Sequence, residues 1–192
     1  MSASTTIPTS RFAWRVVDIV VASVVGVASG LLFVVWNIAS VPVTDPLKAL
    51  LPGLQALGGG FWLFAGPLTA LIVRKPGAAL FGELIAAVVS ALVGNQWGAV
   101  TLLSGAVQGL GAELVFAAFL YTNWRLGVAL LAGAGAGLAM AITDLTVWYP
   151  GSDTLFVTVY TISGVVGGAL IAGLLSWLAV RGLARTGALS RF

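Results

Sequence analysis

Two carboxylic acids lie inside long apolar stretches of this 192-residue chain. Glu83 follows two cations and the helix-breaking Pro76–Gly77, and Glu113 lies in the next apolar run. An ionisable side chain at membrane depth is energetically costly, and by default it marks a functional site. We therefore expect the segment Arg74–Glu113 to form a pair of membrane-crossing helices, whose polar residues help to form a pocket for a small polar ligand.

The two glutamates are expected to have different roles. Gln108 lies five residues before Glu113, which is about 140° around a helix, so only one of these two side chains is expected to face the pocket. We expect Glu113 to contact the ligand. Glu83 is also a candidate for the pocket, but the favoured interpretation is that it pairs with a neighbouring hydroxyl group or with a cation from the inner side.

A third acid lies beside an aromatic residue. Asp144 is one helical turn before Trp148 and shares its face. An acid under an aromatic ring suits an organic cation, because charge pairing adds to a cation–π contact. An interfacial aspartate that caps a turn beside a tryptophan anchor is the alternative interpretation.

Composition indicates the class of protein. Hydrophobic residues make up 59% of the chain and charged residues 8%, whereas charged residues make up about 25% of an average soluble domain. Mean hydropathy is +1.08, which indicates a multi-pass membrane protein. Cysteine and histidine are absent, so the commonest general base and metal ligands are missing. We predict no enzyme activity, no catalytic residue, no metal and no cofactor.

Six apolar runs of about 18 to 27 residues are each long enough to cross a bilayer. They predict an all-α bundle of six transmembrane helices in a single integral membrane domain, residues 1–192. Three prolines between Val41 and Pro52 predict a loop after the first helix. Gly58–Gly60 and Gly66–Pro67 predict an irregular or kinked second helix. The approximate helix bounds are 12–40, 53–73, 77–94, 99–121, 125–148 and 154–181.

Charge predicts the orientation of this bundle. With six spans both termini lie on one side of the membrane, and that side holds eight of the nine cations, all except Lys48. Positive residues concentrate on the cytoplasmic side of membrane proteins. Both termini are therefore expected in the cytoplasm, and the polar side chains near the other surface are expected to form an outward-facing cup.

Two sets of residues follow from this topology. Ala22, Gly26 and Gly30 form a small-residue ridge on the first helix, which packs either within this bundle or against another subunit. The residues expected to bind the ligand are Trp36, Asn37, Glu83, Asn95, Gln96, Trp97, Gln108, Glu113, Asp144, Trp148 and Tyr160.

The segment Phe61–Tyr121 carries the runs RKPGAALFGE and QGLGAE. It resembles the YkoE-type substrate-binding (S) components of energy-coupling-factor (ECF) vitamin transporters, and the resemblance extends over most of the chain. It implies a place in a bacterial plasma membrane and capture of thiamin, or of its hydroxymethylpyrimidine precursor, from outside. It also implies docking on a membrane coupling subunit with two ATPase subunits, and it favours an inter-subunit role for the ridge of Ala22, Gly26 and Gly30.

The resemblance also implies roles in the pocket. An acid or amide would hydrogen-bond the aminopyrimidine, while an acid and aromatic rings would hold the cationic thiazolium. A stand-alone channel or carrier for a small solute or cation is the alternative, and it would need a polar path beginning at Glu83. The candidates for the aminopyrimidine are Glu113, Gln108 and Asn95, and those for the thiazolium are Asp144, Trp148, Trp36 and Tyr160.

Overall fold

The computed structural model describes residues 12–187 and 189, and the regular elements of that part of the chain are helices. Five helical stretches are long and apolar enough to cross a membrane, and Ala78–Val93 is a shorter apolar helix of 16 residues. The chain is therefore an all-helical membrane bundle. Its elements are α1 (Val16–Leu50), a 3₁₀ segment (Leu54–Leu63), α2 (Ala65–Val73), α3 (Ala78–Val93), α4 (Val100–Ala118), α5 (Leu126–Val147), α6 (Thr154–Gly167), a π-helical segment (Gly168–Leu174) and α7 (Leu175–Arg185).

The first helix is longer than the sequence predicts. A loop was expected from Val41, but α1 continues to Leu50 and includes Pro42 and Pro46. The two prolines are four residues apart and exposed, so both missing N–H groups fall on one outer side of the helix. Membrane helices tolerate such prolines more readily than soluble ones. The extension brings Val41 and Thr44 into the wall of the cavity described below.

The second passage is irregular, as its glycines predict. The 3₁₀ segment is tightly packed at three consecutive glycines, where an added Cβ would meet Thr44 at Gly58, Met140 at Gly59 and the Gly167 carbonyl at Gly60. Glycine matters most at Gly60, because the backbone of Gly167 lies directly against it and leaves no room for a side chain. The passage becomes a regular α-helix only at Ala65, so α2 begins in the interior of the bundle.

The small-residue ridge of α1 packs against α3 of the same chain. Ala22 is fully buried. A Cβ added at Gly26 would lie 2.7 Å from the Ile85 Cβ, and one added at Gly30 would lie 2.6 Å from the Val89 Cβ. This corrects the expectation that the ridge contacts another subunit. The four-residue spacing of small residues suits packing within the chain and packing against another subunit equally well. In this fold the ridge is covered by α3.

Helix α5 packs backbone against backbone with the last membrane passage. A Cβ at Gly133 would meet the Gly168 carbonyl, and a Cβ at Gly137 would meet the Gly164 carbonyl. Small residues let helices approach closely enough for backbone-to-backbone packing, which is a main source of stability inside membranes. The π-helical segment lies at this contact, between α6 and α7.

Replacing Gly133 by alanine is therefore expected to destabilise the protein by about 1–3 kcal/mol, the usual cost of overpacking. Gly127, on the same helix, has open space around its Cα, so Gly127→Ala is the matched control. It is expected to be neutral, or to stabilise by up to about 1 kcal/mol through better helix propensity. Unfolding of the detergent-purified variants, followed by circular dichroism, measures both. Equal effects of the two substitutions would contradict this account of the α5 contact.

Candidate functional site

A cavity of about 320 Å³ lies at one end of the bundle. Its wall is formed by the second half of α1, the 3₁₀ segment, α3 from Glu83 onwards with the turn that follows, the first half of α4, the second half of α5 with the turn that follows, and Tyr160 in the middle of α6. Small-molecule sites usually measure roughly 300–1,000 Å³, so this cavity suits a small ligand. Its lining combines apolar and aromatic groups with a few acids, amides and hydroxyls.

Glu83 is the most deeply buried acid in this wall, with 1% of its surface exposed. Its Oε2 accepts a hydrogen bond of 2.6 Å from the backbone N–H of Gly66, the second residue of α2. Its Oε1 has no hydrogen-bond partner among the described residues. The expected hydroxyl or cation is therefore replaced by a helix N-terminus, whose partial positive charge stabilises a carboxylate. One carboxylate oxygen is left without a protein partner.

Gln108 lies in the same wall, on α4. It is 7% exposed, and its carboxamide makes no hydrogen bond with another described residue. Buried amides are normally hydrogen-bonded. The Gln108 side chain therefore offers the cavity both a donor and an acceptor.

Asn37 and two indoles form a rigid part of the wall. The Asn37 Oδ1 accepts a hydrogen bond of 2.8 Å from Trp62 Nε1, and its Nδ2 donates to Ser90 Oγ at 3.2 Å. Trp62 also contacts Trp97 edge to face, at 5.3 Å between ring centroids. Both ends of the Asn37 amide are thus occupied, so Asn37 positions Trp62 against the cavity.

Trp36 does not line the cavity, contrary to expectation. It packs behind Trp62, with ring centroids 6.0 Å apart, and against Phe61 at 4.2 Å. Residues 36 and 37 point about 100° apart on α1, so only Asn37 can face inwards. Trp36 supports the indole that forms the wall.

An acid and several aromatic rings form the opposite part of the wall. Asp144, Trp148, Tyr149 and Tyr160 all line the cavity. The Tyr160 hydroxyl donates a hydrogen bond of 2.7 Å to Asp144 Oδ2, and the Tyr149 and Tyr160 rings lie 5.3 Å apart. We call these four residues the acid–aromatic wall. The spacing of Asp144 and Trp148 predicts that these two residues share a face, but it gives no sign of the two tyrosines.

The turn between α3 and α4 supplies Gln96 and Trp97 to the cavity, but not Asn95. The Asn95 Oδ1 accepts hydrogen bonds from the N–H groups of Trp97 and Gly98, both at 2.9 Å, and from Thr101 Oγ1 at 3.1 Å. Asn95 is therefore occupied in shaping the turn. Its function is to present the two residues that follow it.

Glu113 lies outside the cavity, and this corrects the expectation that it contacts the ligand. Its carboxylate accepts hydrogen bonds from the N–H groups of Gly77 at 2.6 Å and Ala79 at 2.8 Å, and from the Tyr121 hydroxyl at 2.8 Å. Leu80 N–H adds a longer contact of 3.4 Å. Glu113 lies near the end of α4, beside the beginning of α3, so it anchors that helix start.

Gln55 is a cavity residue that sequence reasoning missed, as are Trp62 and Tyr149. The Gln55 Oε1 accepts a hydrogen bond of 2.8 Å from the N–H of Gly53, while its buried Nε2 has no partner. An unpaired buried donor costs about 1–3 kcal/mol. One amide in a glycine-rich apolar run gives no periodic signal, so the sequence alone does not place Gln55.

Comparison with known proteins gives consistent results. The family described as "ABC-type cobalt transport system, permease component" matches residues 17–139. The putative HMP/thiamine permease protein YkoE of Bacillus subtilis (strain 168) is 36% identical over 179 residues, covering 92% of this chain and 88% of the relative. A solved S-component of an ECF transporter has a TM-score of 0.76 at 33% identity, covering 92% of this chain and 89% of that one. These relatives are transport proteins, not enzymes.

The anchoring role of Glu113 can be tested by its effect on stability. Glu113→Ala leaves several N–H groups of α3 unpaired and is expected to cost about 2–4 kcal/mol. Asp153→Ala removes an exposed cap, in which Asp153 accepts a single bond of 2.9 Å from Phe156 N–H, and is expected to cost about 1 kcal/mol. Unfolding of both purified variants measures the difference. A Glu113→Ala protein no less stable than Asp153→Ala would show that Glu113 is not an anchor.

Proposed function

The chain belongs to the YkoE-type substrate-binding (S) components of ECF transporters, and we propose that its cavity captures thiamin or the hydroxymethylpyrimidine precursor of thiamin. The proposal depends chiefly on one observation. Free hydrogen-bonding groups on Glu83 and Gln108 lie in the same cavity as an acid–aromatic wall. Thiamin carries an aminopyrimidine and a cationic thiazolium, which require those two kinds of surface.

The aminopyrimidine is assigned to Glu83 and Gln108. Its amino group is a donor and its ring nitrogens are acceptors. The free Oε1 of Glu83 can accept from the amino group, and the Gln108 carboxamide can pair with either kind of atom. These groups are buried and hydrogen-bonded to little else. A ligand that supplies the missing partners therefore removes an existing energetic cost.

The thiazolium is assigned to the acid–aromatic wall. Asp144 provides a carboxylate, while Trp148, Tyr149 and Tyr160 provide ring faces and edges. A cation over an aromatic ring gains about 0.5–2 kcal/mol, depending on how far it is desolvated. The free pyrimidine precursor has no thiazolium and would not use this wall.

We further propose six membrane passages with both termini in the cytoplasm and the cavity opening outwards. Trp14 Nε1 donates a hydrogen bond to the Pro76 carbonyl, and Glu113 accepts from both Gly77 N–H and the Tyr121 hydroxyl. These bonds bring the start of α1, the α2–α3 turn and the α4–α5 turn to one end of the bundle. That end carries Arg74, Lys75 and Arg125 by sequence, as the positive-inside rule requires of a cytoplasmic face. A reporter fused to either terminus tests this orientation.

Delivery of the ligand is assigned to a membrane coupling subunit and two ATPase subunits. The chain has no phosphate-binding loop of its own, so it cannot couple ATP hydrolysis to uptake by itself. Because α3 covers the ridge of Ala22, Gly26 and Gly30, the surface that docks on the coupling subunit is expected to lie elsewhere on the bundle.

A fluorescence titration of the purified protein, which has seven tryptophans, tests the ligand and the assignments together. Wild type is expected to bind thiamin and hydroxymethylpyrimidine but not riboflavin. Glu83→Gln should weaken binding of both ligands at least tenfold, or about 1.4 kcal/mol. Asp144→Asn should weaken binding of thiamin selectively, because only thiamin carries the cation.

Asp153→Asn is the matched control for the titration, since Asp153 is an exposed acid that caps α6 outside the cavity and asparagine is an equally good cap. It is expected to bind both ligands as wild type does. Absence of thiamin and hydroxymethylpyrimidine binding by wild type would refute the proposed function. Equal weakening of both ligands by Asp144→Asn would refute the thiazolium assignment.

Reconstitution in liposomes tests whether this chain only binds the ligand, while ATP-driven uptake requires the other subunits. The chain alone is expected to bind thiamin at the membrane without accumulating it inside. Addition of the coupling subunit and the two ATPases should give accumulation that depends on ATP. ATP-independent accumulation by the isolated chain would show that it is a self-sufficient carrier or channel.

A further inference from the structure

The carboxamide of Gln55 has a fixed orientation. Its Oε1 accepts a hydrogen bond from the Gly53 N–H, and this bond determines which end of the amide is oxygen. Gly53 itself is held firmly: its φ is +104°, and an added Cβ would lie 2.9 Å from the Tyr160 nitrogen in the middle of α6. A non-glycine residue is strained at such a φ. If the Gln55 amide were reversed, the hydrogen bond from Gly53 N–H would be lost, and the constrained backbone at Gly53 could not shift to replace it.

The other end of this amide has no protein partner. Gln55 Nε2 is buried and unpaired, and Gln55 lines the same cavity as Glu83 and Gln108. Asn37, in contrast, has both ends of its amide occupied. Gln108 has no hydrogen bond that fixes its amide in either orientation. Among these three carboxamides, Gln55 alone has its amide oxygen held by the backbone and its amide nitrogen left unpaired.

We infer that Gln55 is a further specificity-determining residue, which donates a hydrogen bond from Nε2 to an acceptor atom of the ligand. On the proposed function, that acceptor is a ring nitrogen of the aminopyrimidine. Glu83 then accepts a hydrogen bond from the amino group, and Gln55 donates one to a ring nitrogen. The protein thus offers an acceptor and a donor where the ligand has a donor and an acceptor. A carbon in place of that nitrogen would leave Nε2 unpaired.

The test uses thiamin and two pyridine analogues of thiamin, in each of which one ring nitrogen of the pyrimidine is replaced by C–H. Wild type is expected to bind one of the analogues at least tenfold more weakly than thiamin. Gln55→Met, which keeps the length of the side chain but has no donor, is expected to bind that analogue and thiamin with equal affinity. A Trp-fluorescence titration measures each dissociation constant.

Two further variants show whether a change in binding comes from the lost donor or from added charge. Gln55→Glu replaces the donor with an acceptor and is expected to weaken thiamin binding more than Gln55→Met does. Asn123→Asp adds the same charge in the turn before α5 while keeping the oxygen that accepts from Arg125 N–H. It lies outside the cavity and is expected to bind as wild type does, which excludes a general effect of charge.

The outcomes separate this inference from the proposed function. Loss of discrimination in Gln55→Met supports the donor role. If wild type binds thiamin and both analogues equally, or if Gln55→Met still discriminates, the inference is refuted while thiamin binding stands. If wild type binds neither thiamin nor hydroxymethylpyrimidine, the proposed function fails. Gln55→Leu gives the same comparison should Gln55→Met be unstable, and unfolding without ligand shows which variants are folded.

Discussion

A carboxylate buried between membrane helices must find hydrogen-bond donors, because lipid supplies none and burial of an unpaired charge is prohibitively costly. In this protein, backbone N–H groups at helix starts provide them. Glu83 accepts from Gly66 in the first turn of α2, and Glu113 accepts from Gly77 and Ala79 at the beginning of α3. The break in the second passage therefore has a function. It creates, inside the bundle, the helix N-terminus that allows Glu83 to be buried.

Glycine makes that broken passage possible. The 3₁₀ segment lies at the centre of the bundle, where Gly59 and Gly60 leave space for Met140 and for the Gly167 carbonyl. Larger residues at those positions would push the passage outwards, and the beginning of α2 would move with it. The position of the cavity acid thus depends on close backbone packing some distance along the chain. Packing and electrostatics are coupled here through one irregular segment.

The sequence predicts the class of fold and part of the site. Composition and apolar run length identify the helical membrane bundle, and four-residue spacing places Asp144 beside Trp148. The predictions that were wrong or missing concern which groups contact each other, and the periodicity of a sequence does not show this. The depth of Glu113 along its helix does not show that its carboxylate accepts hydrogen bonds from the backbone at the start of α3. A small-residue ridge did not show that α3 would cover it, and single amides such as Gln55 leave no pattern.

The acids in the wall also have a consequence for which molecules the cavity accepts. Glu83 and Asp144 line it, whereas the described lining residues include no lysine or arginine. The Glu83 carboxylate is compensated by a helix end rather than by a cation, so the wall carries little positive charge to attract anions. A phosphate group on a ligand would meet acidic side chains in this wall and no basic one among the described lining residues. A lining with acids and without lysine or arginine suits neutral or cationic solutes better than anions.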